Sequence, residues 1–274
     1  MGRIADIFAA ARQERRGLVL PFLTGGWPDL AMMPALVAAM HRAGAPIVEL
    51  GIPFSDPIAD GPVIAASMHD ALTDGVTPQA IFESVRRMRA TDSATASLGV
   101  VAMVSVSIVH RIGITPLVDA ITDAGLDGII VPDVDIEVAP ALAAACDRRD
   151  CSCSFLVAPT STPARVEAIV RHCRGFVYLL ARAGVTGATR DGDTGGVPEL
   201  ERQVRVIRSV SASIPIAAGF GIATPEHVRA TVGQVDGAIV GSAIVRCIAE
   251  ARAGNEDPVR AVERLVGQLV AATR

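Results

Sequence analysis

The sequence predicts an α/β protein, a single (β/α)8 TIM barrel with one extra helix in front and one behind. Three observations lead there. Eight short apolar runs recur along the 274 residues, each followed by a segment of helical length. Half the residues are hydrophobic but only 3% are aromatic, so the core is built of Ala, Val, Leu and Ile, the composition of strands buried on both faces. No Pro/Ser-rich linker or shift of composition divides the chain, which reads as one domain over 1–274. A doubly wound sheet is the alternative, but it has no need of eight similar units.

In chain order, Ile4, Ile7, Phe8 and Ala11 fall at helical spacing and predict an amphipathic helix ahead of the barrel. Strands are expected at Leu18 to Leu23, Ile47 to Gly51, Leu98 to Ser105, Gly128 to Pro132, Ser154 to Ala158, Phe176 to Ala181, Ile214 to Gly219 and Ala238 to Gly241. Helical patterns lie between and after them, at about Pro28 to Arg42, Pro78 to Arg89, Pro116 to Ala124, Glu137 to Arg148, Pro163 to His172, Val197 to Ser211, Pro225 to Thr231 and Ser242 to Ala253. A last helix is expected from about Pro258 to Ala272. Several open with Thr-Pro, where the missing proline donor costs nothing in the first turn.

Composition excludes several classes of function. The net charge of -4 with interspersed signs suits neither a nucleic-acid groove nor a polybasic membrane patch. No apolar run approaches the roughly 18 residues of a spanning helix, and the first residues carry no apolar signal-peptide core, so a cytoplasmic protein acting on a small molecule is expected. All 25 basic residues are Arg. Without lysine there is no Schiff base, no pyridoxal phosphate linkage and no P-loop lysine, so carbon–carbon bond chemistry must use acid–base groups or a metal. The five cysteines lack the paired spacing of a zinc or redox site and read as reduced thiols. The five histidines are scattered, and no metal site is expected.

In a barrel the functional residues gather after the strand C-termini. Glu49 interrupts an apolar strand there, and a carboxylate so placed is either a satisfied structural group or an acid–base group with a raised pKa. Asp56 and Asp60 follow in a proline-rich loop, where Asp-Pro and Asp-Gly are also ordinary turn dipeptides. Glu49 and Asp60 can reach one pocket from strand end and loop, and carboxylates in different environments take different roles. Gly184-Val185-Thr186-Gly187 follows the sixth strand, Gly219-Phe220-Gly221 the seventh, and Gly241-Ser242 the eighth, where it opens a helix. Unpaired N–H groups and a helix dipole at those strand ends suit a phosphate.

The stretch Glu49 to Pro62, with Ala183 to Gly187, Gly219-Phe220-Gly221 and Gly241 to Val245, resembles the tryptophan synthase alpha subunit family, and the similarity runs over essentially the whole chain. The resemblance implies a cofactor-free lyase that splits indole-3-glycerol phosphate into indole and glyceraldehyde 3-phosphate by a retro-aldol cleavage. It implies that Glu49 moves the protons and that Asp60 stabilises charge developing on the indole N–H. It places Phe22 in the indole pocket and Tyr178 in the substrate-binding active-site region, Thr186 in a mobile loop that closes over substrate, and Gly187, Phe220, Gly221, Gly241 and Ser242 around the phosphate. It further implies a pyridoxal-phosphate beta subunit as partner, in an alpha2beta2 complex. Met103, Ser105 and Asp135 stand where Tyr, Asn and Pro are common in the family, and Ala65 where Gln is frequent; several of these positions lie near the beta-facing surface. A stand-alone lyase supplying free indole to secondary metabolism thus stays open beside the two-subunit enzyme. A noncatalytic regulatory subunit, against which Glu49 and Asp60 both argue, and a barrel enzyme for another sugar phosphate, against which the intact second-loop signature argues, are the remaining readings.

Overall fold

The computed structural model of the protein describes residues 2–56, 61–180, 197–219 and 221–273. Among these, nine strands form one parallel sheet: β1 (Leu18–Thr24), β2 (Ile47–Gly51), β3 (Gly99–Met103), β4 (Gly128–Ile130), β5 (Ser152–Ser154), β6 (Leu156–Val157), β7 (Val177–Leu180), β8 (Ile216–Gly219) and β9 (Gly237–Val240). β5 and β6 stand at opposite ends of the sheet order, yet only Phe155 separates them. They are one barrel strand in two pieces, and the sheet closes through it. The expected eight strands are therefore present, the fifth interrupted.

Register shows how the interior is layered. One row of partners runs from Leu18 through Gly237, Ala217 and Tyr178 to Leu156. Another runs from Thr24 through Gly51, Met103 and Ile130 to Ser154. The rows start six residues apart on β1 and end two apart in the opposite sense, a stagger of eight residues, the shear of a TIM barrel. Interior side chains thus stack in layers drawn from alternate strands. One layer holds Glu49, Ile130, Tyr178 and Ile239; the layer nearer the strand C-termini holds Phe22, Met103, Leu156 and Gly219; the layer beneath holds Leu20, Val101, Ser154 and Ala217. The intervening residues, such as Val48, Val100, Ile129, Cys153 and Leu179, face the helices and form the larger apolar core.

The helix Arg3–Gln13 closes the N-terminal end of the barrel. Its Ile4, Phe8 and Ala11 join the interior cluster, with the Phe8 and Phe176 rings 5.5 Å apart. Two aspartates fasten it. Asp236, just before β9, accepts from Arg12 at 2.6 and 3.0 Å, from Arg208 at 2.7 Å and from the Ile216 N–H at 2.8 Å. Asp127, just before β4, accepts from Arg3 at 2.5 Å, Arg89 at 2.8 Å and the Val100 N–H at 2.9 Å.

Helix starts follow the Thr-Pro signal at three places. Thr77, Thr162 and Thr224 each accept from the backbone N–H three residues on, the geometry of an N-cap. Thr115-Pro116 does not fit it: the helix Ile114–Asp123 starts earlier, after Gly113 at φ 93°. The first βα helix is shorter than expected, Met33–Arg42, because Asp29 captures the Met32 N–H in a turn at 2.8 Å. Two helices went unread. Pro62–Thr73 follows the second loop, and Val106–Ile112 follows β3, capped by Ser105.

Candidate active site

Glu49 lies in β2 between Phe22 of β1 and Val101 of β3 in register. It is wholly buried, and neither carboxyl oxygen has a hydrogen-bond partner among the described residues. Burial pushes its pKa well above the ordinary carboxylate value, since the low-dielectric interior disfavours the charged form. Leaving such a group unpaired costs about 1–3 kcal/mol or more, a cost that structural carboxylates avoid by finding partners. This carboxyl instead faces the barrel interior with both oxygens unpartnered among the described residues and its neutral form favoured by burial.

Two aromatic rings wall the layers around it, and two glycines make room for them. A Cβ at Gly51 would stand 2.4 Å from Phe22 Cζ, and one at Gly219 would stand 2.5 Å from Tyr178 Oη. Both rings are buried. At the ends of the last two strands the chain is shaped differently. Gly221 has φ 78°, a left-handed conformation favouring glycine. Gly241 follows β9 directly and is the N-cap residue of the helix Ser242–Ala253, whose first N–H groups have no intrahelical acceptor. A Cβ at Gly241 would come within 3.3 Å of Ile64 Cδ1, so this strand end also abuts the helix Pro62–Thr73.

Of the expected site residues, the structure gathers Glu49, Phe22 and Tyr178 in adjacent interior layers and sets Gly221, Gly241 and Ser242 at neighbouring strand ends. Asp60, Thr186, Gly187 and Phe220 lie outside the described residues. Sequence reading missed the clip that holds the helix after the second loop. Thr24 Oγ1 and Ser67 Oγ are 2.6 Å apart, Ser67 donates to the Ile64 carbonyl at 2.7 Å, and Trp27 Nε1 donates to Asp70 at 3.3 Å. The spacing of Ile64, Ser67, Met68 and Ala71 carries that signal, a helical face with one hydroxyl in it. It also missed Ser154, fully buried in the layer beneath Glu49 with an unpartnered hydroxyl.

The departure at Ser105 has a structural reason. Its hydroxyl donates to Asp133 at 2.8 Å and accepts from the Ser107 N–H at 3.3 Å, while Asp133 also takes the Val106 N–H at 2.7 Å. Serine caps the helix, as asparagine also can, and the third and fourth loops are locked together. Among the described residues no group of three His, Cys, Asp or Glu is placed to hold a metal, and all five cysteines are free. A cavity of about 480 Å³ at the opposite end of the barrel is lined by Arg3, Arg89, Arg149, Asp127 and Asp150, but its guanidinium groups are already paired with aspartates.

A closed parallel barrel with an unpartnered interior carboxyl in β2 and glycines at the ends of its last two strands defines the class, a TIM-barrel enzyme. The chain belongs to the tryptophan synthase alpha chain family, whose sequence profile matches residues 8–274. It is 41% identical over 260 residues to the tryptophan synthase alpha chain of Halorhodospira halophila, covering 95% of this chain and 92% of that one. With that of Solibacter usitatus it shares 39% over 248 residues, 90% of each chain. Among solved structures, tryptophan synthase of Mycobacterium tuberculosis superposes with a TM-score of 0.87 at 31% identity, covering 100% of this chain and 98% of that one. Tryptophan synthase subunit alpha of Legionella pneumophila gives 0.87 at 29% with the same coverage.

Proposed function

We propose that the protein cleaves indole-3-glycerol phosphate to indole and glyceraldehyde 3-phosphate, as a cytoplasmic tryptophan synthase alpha chain working as one barrel domain. The observation that carries this reading is the buried, unpartnered carboxyl of Glu49, whose pKa burial raises. Glu49 protonates indole C3, so the ring becomes an iminium that accepts the electrons of the breaking carbon–carbon bond. The side-chain hydroxyl gives up its proton as the aldehyde forms, and Glu49 recovers it. Asp60 supports the positive charge on the indole nitrogen. Phe22 and Tyr178 line the substrate pocket, while Gly187, Phe220, Gly221, Gly241 and Ser242 hold the phosphate on backbone N–H groups and Thr186 closes the lid. No step needs an amine nucleophile, which suits a chain without lysine.

The partner is a tryptophan synthase beta subunit. Half-buried Val106, Ile108 and Ile112 after β3, with Val134 and Ile136 after β4, give the C-terminal face an apolar rim, and the capping role of Ser105 removes one argument for a chain that acts alone. Indole release from indole-3-glycerol phosphate is the assay. Glu49→Gln should lower turnover by roughly 10² to 10⁴ while glycerol 3-phosphate still binds; near-normal turnover removes Glu49 from the mechanism. Adding a beta subunit should raise wild-type turnover roughly tenfold or more, about 1.4 kcal/mol of barrier, and an unchanged rate returns the reading to a stand-alone lyase.

A further inference from the structure

Ser154 is the one polar member of the interior layer beneath Glu49, which it shares with Leu20, Val101 and Ala217. The alternation along its strand fixes its direction: Cys153 and Phe155 pack in the helix-facing core, while Leu156 packs with the interior cluster. Its hydroxyl is fully buried and has no hydrogen-bond partner among the described residues. By register it is a neighbour of Ile130 and, through Leu156, of Tyr178, both in the layer of Glu49. Two of its three layer companions are no larger than valine, so the floor under the Glu49 layer combines small side chains with one polar group.

An apolar side chain of similar size would serve packing better, because a buried hydroxyl without a partner is destabilising. We propose that Ser154 is a specificity-determining residue: it gives the floor of the indole pocket a hydrogen-bonding group, so that the enzyme accepts indole-3-glycerol phosphates bearing a hydroxyl or amino substituent on the benzo ring. The inference rests on the substrate reading given above. A substituent reaching the floor exchanges a hydrogen bond with the Ser154 hydroxyl, which can donate or accept. In an all-apolar floor the same substituent would be buried unpaired and rejected.

The test compares kcat/KM for the parent substrate with that for its 4-, 5-, 6- and 7-hydroxy analogues, in the wild type and in Ser154→Ala. For at least one ring position, Ser154→Ala should lower the ratio of analogue to parent roughly tenfold, about 1.4 kcal/mol, and at the same time raise the Tm of the ligand-free enzyme. A merely structural serine would lower Tm and move both substrates together. Ser154→Thr and Ser154→Val share a shape and differ in the hydroxyl, so they separate volume from hydrogen bonding; threonine should retain the preference and valine lose it. An unchanged ratio at all four positions, or equal ratios in the threonine and valine variants, overturns the proposal. Failure of the wild type to turn over the parent compound would instead overturn the substrate reading beneath it.

Discussion

Gly219→Ala isolates the contact between the last turn of β8 and the Tyr178 ring. Gly219 does not have a positive φ, so an added methyl introduces no backbone strain and its whole cost is steric. That Cβ would lie 2.5 Å from Tyr178 Oη, 3.0 Å from Cζ and 3.1 Å from Cε1, whereas ordinary contacts of this kind fall at 3.4–4 Å. The ring must retreat by about 1 Å, in an interior packed too densely to absorb it freely, at about 1–3 kcal/mol. Tyr178→Phe takes away the closest atom but leaves the contact at 3.0 Å, so relief is partial; Tyr178→Leu removes the ring and most of the clash. Urea unfolding of the single and double variants closes a double-mutant cycle, with an expected coupling of about 0.5–3 kcal/mol in favour of the Gly219→Ala, Tyr178→Leu pair. Indole release should fall in Gly219→Ala, because the displaced ring moves into the layer where substrate binds. The reasoning fails if Gly219→Ala unfolds within about 0.5 kcal/mol of wild type, or if its penalty is the same in the Tyr178→Leu background.

Glu49→Gln should change the pH dependence of stability. With a folded pKa raised above the unfolded value near 4.5, the wild-type carboxyl is no handicap below that pH and costs progressively more as pH rises toward the folded pKa. Glutamine does not titrate, so the stability difference, variant minus wild type, should grow with pH from about 4.5 upward; a flat difference from pH 4 to 8 contradicts the buried, proton-holding carboxyl. Asp236→Asn should destabilise in the opposite pH sense. Burial would raise the Asp236 pKa, but bonds from Arg12, the Ile216 N–H and Arg208 outweigh it and hold the carboxyl below its ordinary value. Its stabilisation is therefore present above about pH 3.8 and lost as pH falls through the folded pKa. The variant should lose about 1.5–3 kcal/mol at neutral pH, measured by denaturant titration, and converge with wild type in acid.

The barrel was legible because strands buried on both faces are near-continuous apolar runs, and Val48, Val100, Ile129 and Leu179 write that pattern plainly. Glu49 was legible for the same reason, as a charge in the wrong company. Helix boundaries were less so. Pro62–Thr73 begins inside what reads as a continuous proline-rich loop, and Val106–Ile112 extends an apolar run that reads as strand until the Ser105 cap is seen to turn it. The split of the fifth strand at Phe155 leaves no mark in composition. Ser154 was unreadable because its significance lies in which residues share its layer, and layer membership comes from the stagger of eight strands rather than from any neighbour in sequence.

The aspartates before β4 and β9 repeat one arrangement. Each stands immediately ahead of the glycine that begins a strand, takes an N–H from the strand alongside, a guanidinium from an outer helix and a second guanidinium from the helix Arg3–Gln13. Because Arg3 and Arg12 reach different aspartates, the leading helix is moored at both ends across the mouth of the cylinder. It bridges two sectors of the wall, and trimming the first dozen residues would cut both moorings in a single step. The end of the barrel opposite the strand C-termini thus carries the fastening.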